Sequence, residues 1–122
     1  MKLAITATGR DINSDIDVRF GRAKYFLVCD TDTGAVVAHD NDQNLNAVQG
    51  AGVQAGQNVV NLEVAAVITG NVGPKAYRVL NAAGIKIYLC ERTTAAEAIL
   101  RFKAGELKEI DAANVDGHWV GF

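Results

Sequence analysis

The chain has 122 residues, 49% of them apolar, and a net charge of −2. That length suits one domain with a core of its own and is too short for two. The near-balance of charge argues against a nucleic-acid partner, which draws a basic excess, and no apolar run is long enough to span a membrane.

Residues 1–122 therefore read as a single domain, with 110–122 as a C-terminal tail. The start, Met1-Lys2-Leu3-Ala4-Ile5, enters a strand at once. It carries no long apolar signal region and no small-residue cleavage site, which predicts a cytoplasmic address. The first strand covers residues 2–8, with Leu3, Ile5 and Ala7 on one face. Gly9 and Arg10 open a polar loop that runs to Val18. Arg19-Phe20-Gly21-Arg22-Ala23 is a turn, and residues 25–30 form the second strand. Thr31-Asp32-Thr33-Gly34 is hairpin chemistry, with Gly34 able to take positive φ. Residues 35–39 are the third strand, which completes an antiparallel meander.

After a polar loop over residues 40–45, Asn46 is placed to cap the first helix, with Gln49 as the reciprocal partner of a capping box. Val48, Ala51, Ala55, Val59 and Leu62 follow at helical spacing. Gly50, Gly52 and Gly56 crowd its first half, and each glycine inside a helix costs about 1 kcal/mol relative to alanine. Either the backbone packs very closely on the sheet, or Gly50 and Gly52 let something approach the helix start. Residues 65–69, an apolar run without alternation, are a buried fourth strand. Gly70-Asn71-Val72-Gly73 is a tight loop, and Pro74 opens a second helix with Ala76, Leu80 and Ala83 on one face and Gly84 as its stop. Residues 85–90 are the fifth strand. Thr94 and Glu97 form a capping box for a third helix, whose buried stripe is Ala95, Ala98, Ile99 and Phe102 and which Gly105 ends. The tail has a turn at Asp116-Gly117.

Right-handed crossovers place strands one, four and five parallel and adjacent, and the hairpin extends the sheet beyond strand one. The expected class is α/β: a ribonuclease-H-like five-stranded mixed sheet, order 3-2-1-4-5 with strand two antiparallel, flanked by helices. Connections diverge at the carboxyl ends of strands one and four, so a crevice opens there. The segments that meet at it supply Arg10, Asn41, Gln49, Gly50, Ala51, Gly52, Val53, Gly70, Asn71, Val72, Gly73, Lys75 and Arg92 as candidate ligand contacts. Two helix starts facing one crevice favour an anion. The β–α loop also reads as a plain connection with no ligand.

Catalytic groups are missing from the pattern. Two-metal phosphodiester cleavage needs clustered carboxylates, and strands one and four hold none. Ser14 is the only serine and lies in no Gly-x-Ser-x-Gly. The Gly70 to Lys75 loop is not a Walker loop, and Gly50, Gly52 and Gly56 have the wrong spacing for a dinucleotide fingerprint. Cys29 and Cys90 lie far apart in apolar runs, which disfavours a thiolate zinc or iron–sulfur site and suits buried reduced thiols. No metal ligand set can be named; His39, just upstream of the helix-one loop, is the single coordinating side chain near it. Arg22 is either a structural partner of Asp17 or Asp30 or a charge available elsewhere.

Arg19-Phe20-Gly21-Arg22-Ala23-x-Tyr25-Phe26, Gly50-Ala51-Gly52, Ile68-Thr69-Gly70-x-Val72-Gly73-Pro74-Lys75-Ala76 and Phe102-Lys103-Ala104-Gly105-Glu106-Leu107 together resemble the dinitrogenase iron–molybdenum cofactor biosynthesis family. The resemblance spans nearly the whole chain and is strongest to the small single-domain branch. It implies a non-enzymatic carrier of a molybdenum–copper sulfide cluster, or a related molybdenum–iron–sulfur cluster, held non-covalently. Sulfide is a soft, weak acceptor, so backbone N–H groups, apolar contacts and a distant positive charge suit it. Gly50 to Val53 and Gly70 to Gly73 offer the first two, and Arg10, Lys75 and Arg92 the third. Where some members of the family carry histidine or cysteine near the helix-one loop, this chain has Asn44, Asn46 and Gln49, which favours binding without direct coordination. A protein that donates or receives the cluster is an expected partner. The alternative is an interaction adaptor without a cluster, docking through Trp119 and Phe122 of the tail.

Overall fold

The computed structural model describes residues 1–115. The turn expected at Asp116-Gly117, His118, and the tail residues Trp119 and Phe122 lie outside them. Six strands form one sheet: β1 (Lys2–Ala7), β2 (Tyr25–Asp30), β3 (Val36–Asp40), β4 (Ala66–Thr69), β5 (Lys86–Leu89) and β6 (Lys108–Ile110), in the order β3-β2-β1-β4-β5-β6. β2 is antiparallel to β1 and β3. β1, β4 and β5 are mutually parallel, and β6 is antiparallel to β5.

The expected five-strand order is present within this sheet, and the sixth strand corrects the count. Ile110, expected to open the tail, instead ends β6 opposite Ile87. Lys108-Glu109-Ile110 has no alternating apolar pattern of its own. The free edge of β5 recruits it through backbone pairing, which is indifferent to side chain.

Alternation along the strands sorts the core into two layers. Ala4, Phe26, Val28 and Val67 face α1 (Ala51–Asn61) and α2 (Pro74–Ala82). Leu3, Ile5, Leu27 and Ile68 face α3 (Ala95–Lys103). Thr94 caps α3 as expected, its hydroxyl accepting the Glu97 N–H at 3.2 Å. Gly34, Gly84 and Gly105 take φ of 78°, 73° and 74°, as the turn and the two helix stops require. No described helix is long and apolar enough to cross a membrane.

The start of the first helix is a second correction. Asn46 does not cap it, and Gln49 is no capping partner: α1 begins at Ala51 with Gly50 as its N-cap. Residues 44–49 form an external loop with Leu45 and Val48 fully exposed. Gln54 fastens this loop to the helix. Its Oε1 accepts the Asn44 N–H at 2.8 Å, and its Nε2 donates to the carbonyls of Asn44 and Gln49 at 3.1 and 2.9 Å. Once Gln54 holds both ends of the loop, helical hydrogen bonding starts after it.

Two glycines remain inside α1, and both serve close packing, against α2 and a 3-10 turn rather than against the sheet. A Cβ at Gly56 would lie 3.0 Å from Val79 Cβ, and one at Gly52 would lie 3.4 Å from Ala76 Cβ. The 3-10 turn Phe20–Arg22 packs on the other side of Gly52.

Candidate functional site

The parallel arrangement brings two helix starts together. α2 follows β4 through Gly70 to Gly73, and its first turn touches that of α1 at Gly52 and Ala76. Neither N-cap, Gly50 or Gly73, supplies a side-chain hydrogen bond, and Pro74 at the first position of α2 has no N–H to satisfy. Among the described residues, none accepts a hydrogen bond from the N–H of Ala51, Gly52, Val53, Lys75 or Ala76. These donors belong to two helix starts that touch, each with a partial positive charge.

The 3-10 turn forms a third wall. Phe20 anchors it, buried and tilted against Phe26 with ring centroids 5.9 Å apart. Gln43 Nε2 donates to the carbonyl of Gly21 at 2.8 Å and to that of Ala51 at 3.0 Å, clamping the turn to the start of α1. Below, the ends of β1 and β4 are closed. The Thr6 hydroxyl donates to the Asp17 carbonyl at 2.6 Å and shares a hydrogen bond with the Thr69 hydroxyl at 2.9 Å, all fully or almost fully buried. The Asp17 carboxylate accepts the Arg19 N–H at 3.0 Å and its Nε at 3.2 Å. Arg19, not Arg22, is thus the partner of Asp17, and Arg22 enters no ion pair among the described residues.

The candidate residues separate by position. Gly50, Ala51, Gly52, Val53, Gly73 and Lys75 stand together at the paired helix starts, with Gln49 exposed just before them. Gly70 lies against Val18, and Asn71 Nδ2 donates to the Val18 carbonyl at 3.2 Å. Val72 is buried, with its N–H donated to Asn114 Oδ1 at 2.6 Å. Gly70 and Asn71 also line an open cavity of about 310 Å³ with Val18, Leu89, Cys90 and Glu91. Arg92 is exposed beyond β5. Arg10 turns the other way: Nη1 pairs with Asp40 at 3.0 Å, and the guanidinium sits 5.2 Å from the Tyr25 ring centroid. Asn41 is occupied structurally, donating to the Ala23 carbonyl at 2.8 Å and accepting from Asn58 Nδ2 at 2.8 Å. His39 is half-buried in β3, paired with Phe26. Among the described residues no group of three or more His, Cys, Asp or Glu is placed to hold a metal ion.

Three residues at the site escape sequence reasoning. Gly21 lies in a motif that draws notice, yet nothing in the turn announces its contact with Gly52. Gln43 and Asn114 act across long sequence separations with no spacing signal.

The family model described as dinitrogenase iron-molybdenum cofactor matches residues 1–105. The chain belongs to this family. Its fold is that of the apo orange protein from Desulfovibrio gigas, at a TM-score of 0.88 and 36% identity over 93% of this chain and 96% of that one. A Thermotoga protein of the DUF35 family is similar at a TM-score of 0.80 and 35% identity, covering 95% of this chain and 98% of that one. An uncharacterized Methanocaldococcus jannaschii protein is 30% identical over 101 residues, 81% of this chain and 86% of that protein. Within the family, the chain stands with the orange-protein-like branch expected from its motifs.

Proposed function

We propose that the protein is a non-catalytic carrier of an anionic molybdenum-containing metal–sulfide cluster, either a molybdenum–copper sulfide or an iron–molybdenum cofactor precursor. The observation that carries this reading is the contact of two uncapped helix starts at Gly52 and Ala76. Family membership supplies the class of ligand. A cluster whose own sulfides complete the coordination of its metals needs donors and positive potential, not thiolates or imidazoles. The donors this reading uses are the backbone N–H groups of Ala51 to Val53, Lys75 and Ala76. Lys75 and Arg92 add positive charge, with Arg22 on the neighbouring turn. Gly70 to Gly73 form the wall under α2, and Arg10 and Asn41 hold the frame behind it. The fully exposed Leu45 and Val48, next to the start of α1, favour a protein partner that gives or takes the cluster.

Anaerobic reconstitution with tetrathiomolybdate and copper(I) tests the proposal. A coloured stoichiometric species that survives gel filtration, with amide shifts concentrated at residues 50–53 and 70–75, is the expected result. A protein that stays colourless, or shifts confined to other regions, overturns it.

A further inference from the structure

The last described residues come back to the site. After β6 the chain bends through residues 111–113, and Asn114 meets the β4–α2 loop through four hydrogen bonds. Its N–H donates to the Val72 carbonyl at 3.1 Å, and its Oδ1 accepts the Val72 N–H at 2.6 Å. Its Nδ2 donates to Asn71 Oδ1 at 3.1 Å and to the Gly70 carbonyl at 3.4 Å. No other hydrogen bond among the described residues ties 111–115 to the protein. Asn114 itself is exposed, and Ala113 and Val115 on either side of it are half-buried.

Val72 directly precedes the N-cap Gly73. Its N–H is the loop donor that comes before those of Gly73, Lys75 and Ala76 in the chain, and an amide oxygen already occupies it. We propose that residues 111–115 are a strap across the β4–α2 loop with Asn114 as its latch, and that latching and anion binding at the Val72 N–H exclude one another. This rests on the reading of the loop as an anion cradle. One N–H serves one short acceptor bond, so a cluster that takes the Val72 N–H does so only with Asn114 Oδ1 displaced, and the strap is then free. Cluster loading is thereby coupled to the release of residues 111–115 from the β4–α2 loop.

The test compares wild type with Asn114→Ala. In the ligand-free variant the Val72 amide exchanges with solvent about fivefold faster or more, the worth of one lost hydrogen bond, while amides in the body of α2 keep their protection. Affinity for the species formed from tetrathiomolybdate and copper(I) rises about fivefold by the same arithmetic. Loss of a purely structural contact moves affinity the other way, by loosening the loop. In wild type, which needs no variant to fold, the Asn114 side-chain amide protons shift to solvent-like positions as ligand is added. Unchanged Val72 exchange, equal or weaker affinity in the variant, or an Asn114 side chain unmoved on saturation overturns the strap. Failure of both forms to bind overturns the cradle itself and the exclusion with it, an outcome distinct from equal binding by both.

Discussion

Gly21 faces Gly52 so closely that a Cβ on Gly21 would lie 3.1 Å from both the Cα and the N of Gly52. The obstacle is backbone and has no rotamer through which to yield. Gly21→Ala is expected to force the 3-10 turn away from α1 and to destabilise the protein by about 1–3 kcal/mol. Gly50, by contrast, has nothing within 4 Å of its Cβ position. Gly50→Ala changes only the N-cap preference and should cost about 1 kcal/mol or less. Urea unfolding of the two variants separates them, and equal losses would contradict the packing role of Gly21.

Gly70 is tighter still. A Cβ there would lie 2.6 Å from Val18 Cβ and 2.8 Å from Val18 Cα. Gly70→Ala should cost about 3 kcal/mol or more. It should also break the Asn71–Val18 hydrogen bond, visible as a shifted Asn71 side-chain amide. A variant as stable as wild type would show that the segment over β4 can move aside.

The buried hydroxyls offer a graded test. Thr6→Val leaves the Asp17 carbonyl and the Thr69 hydroxyl short of a partner, for a loss of about 1–3 kcal/mol. Thr69→Val removes one bond while Thr6 keeps its donation to Asp17, so it should cost less. The double variant should lose less than the sum of the two, since the pair shares one interaction. Strict additivity by chemical denaturation would count against a coupled pair.

Charge effects on cluster uptake should follow geometry. Lys75 stands at the start of α2 and is in no ion pair among the described residues, whereas Arg10 is held by Asp40 and Tyr25. Lys75→Gln should weaken binding by about threefold at low salt and by less at high salt. Arg10→Gln should leave it nearly unchanged. The reverse order in a titration with tetrathiomolybdate and copper(I) would move the site toward β2 and β3.

Burial pushes the thiols of Cys29 and Cys90 above their ordinary 9.0, and for Cys90 the adjacent Arg101 offsets only part of this. A raised folded value means that the folded state keeps its proton longer than the unfolded chain does. Stability from these thiols is complete below that ordinary value and is lost as pH rises from it through the folded values. Urea midpoints of the wild type should therefore fall more steeply across alkaline pH than those of a Cys29→Ala, Cys90→Ala double variant. Identical slopes would show that the thiolates form without penalty.

Much of the fold is legible because local chemistry and tertiary demand agree. Thr94 with Glu97, Gly84, Gly105 and the Gly34 hairpin each perform the job their residue types suggest. Unalternating strand residues such as Ala66-Val67-Ile68 lie between parallel neighbours, as their pattern requires. Reading failed where distant groups decide. The Asn46 box matches a helix start by pattern, but Gln54 holds that loop outside the helix. β6 exists because β5 has an edge. At the candidate site, the glycine-rich helix starts are visible in the sequence, while the clamp at Gln43 and the tie at Asn114 depend on contacts 22 and 42 residues away. Arg10 looks available in sequence only because Asp40 lies 30 residues further on.

The segment before the 3-10 turn has one more effect. α1 and α2 begin side by side, and α3, which follows β5 as α2 follows β4, begins at the same end of the sheet. Yet the first turn of α3 is already spoken for: Ser14 and Ile12 carbonyls accept the Ala95 and Ala96 N–H groups at 2.9 and 2.8 Å, and the Thr94 hydroxyl takes that of Glu97. The molecule therefore has a live side and a quenched side at one pole. On the reading proposed above, an anion takes donors of the α1–α2 layer alone, because those of the α3 layer are already satisfied from within, and its charge sits off-axis, on one face only.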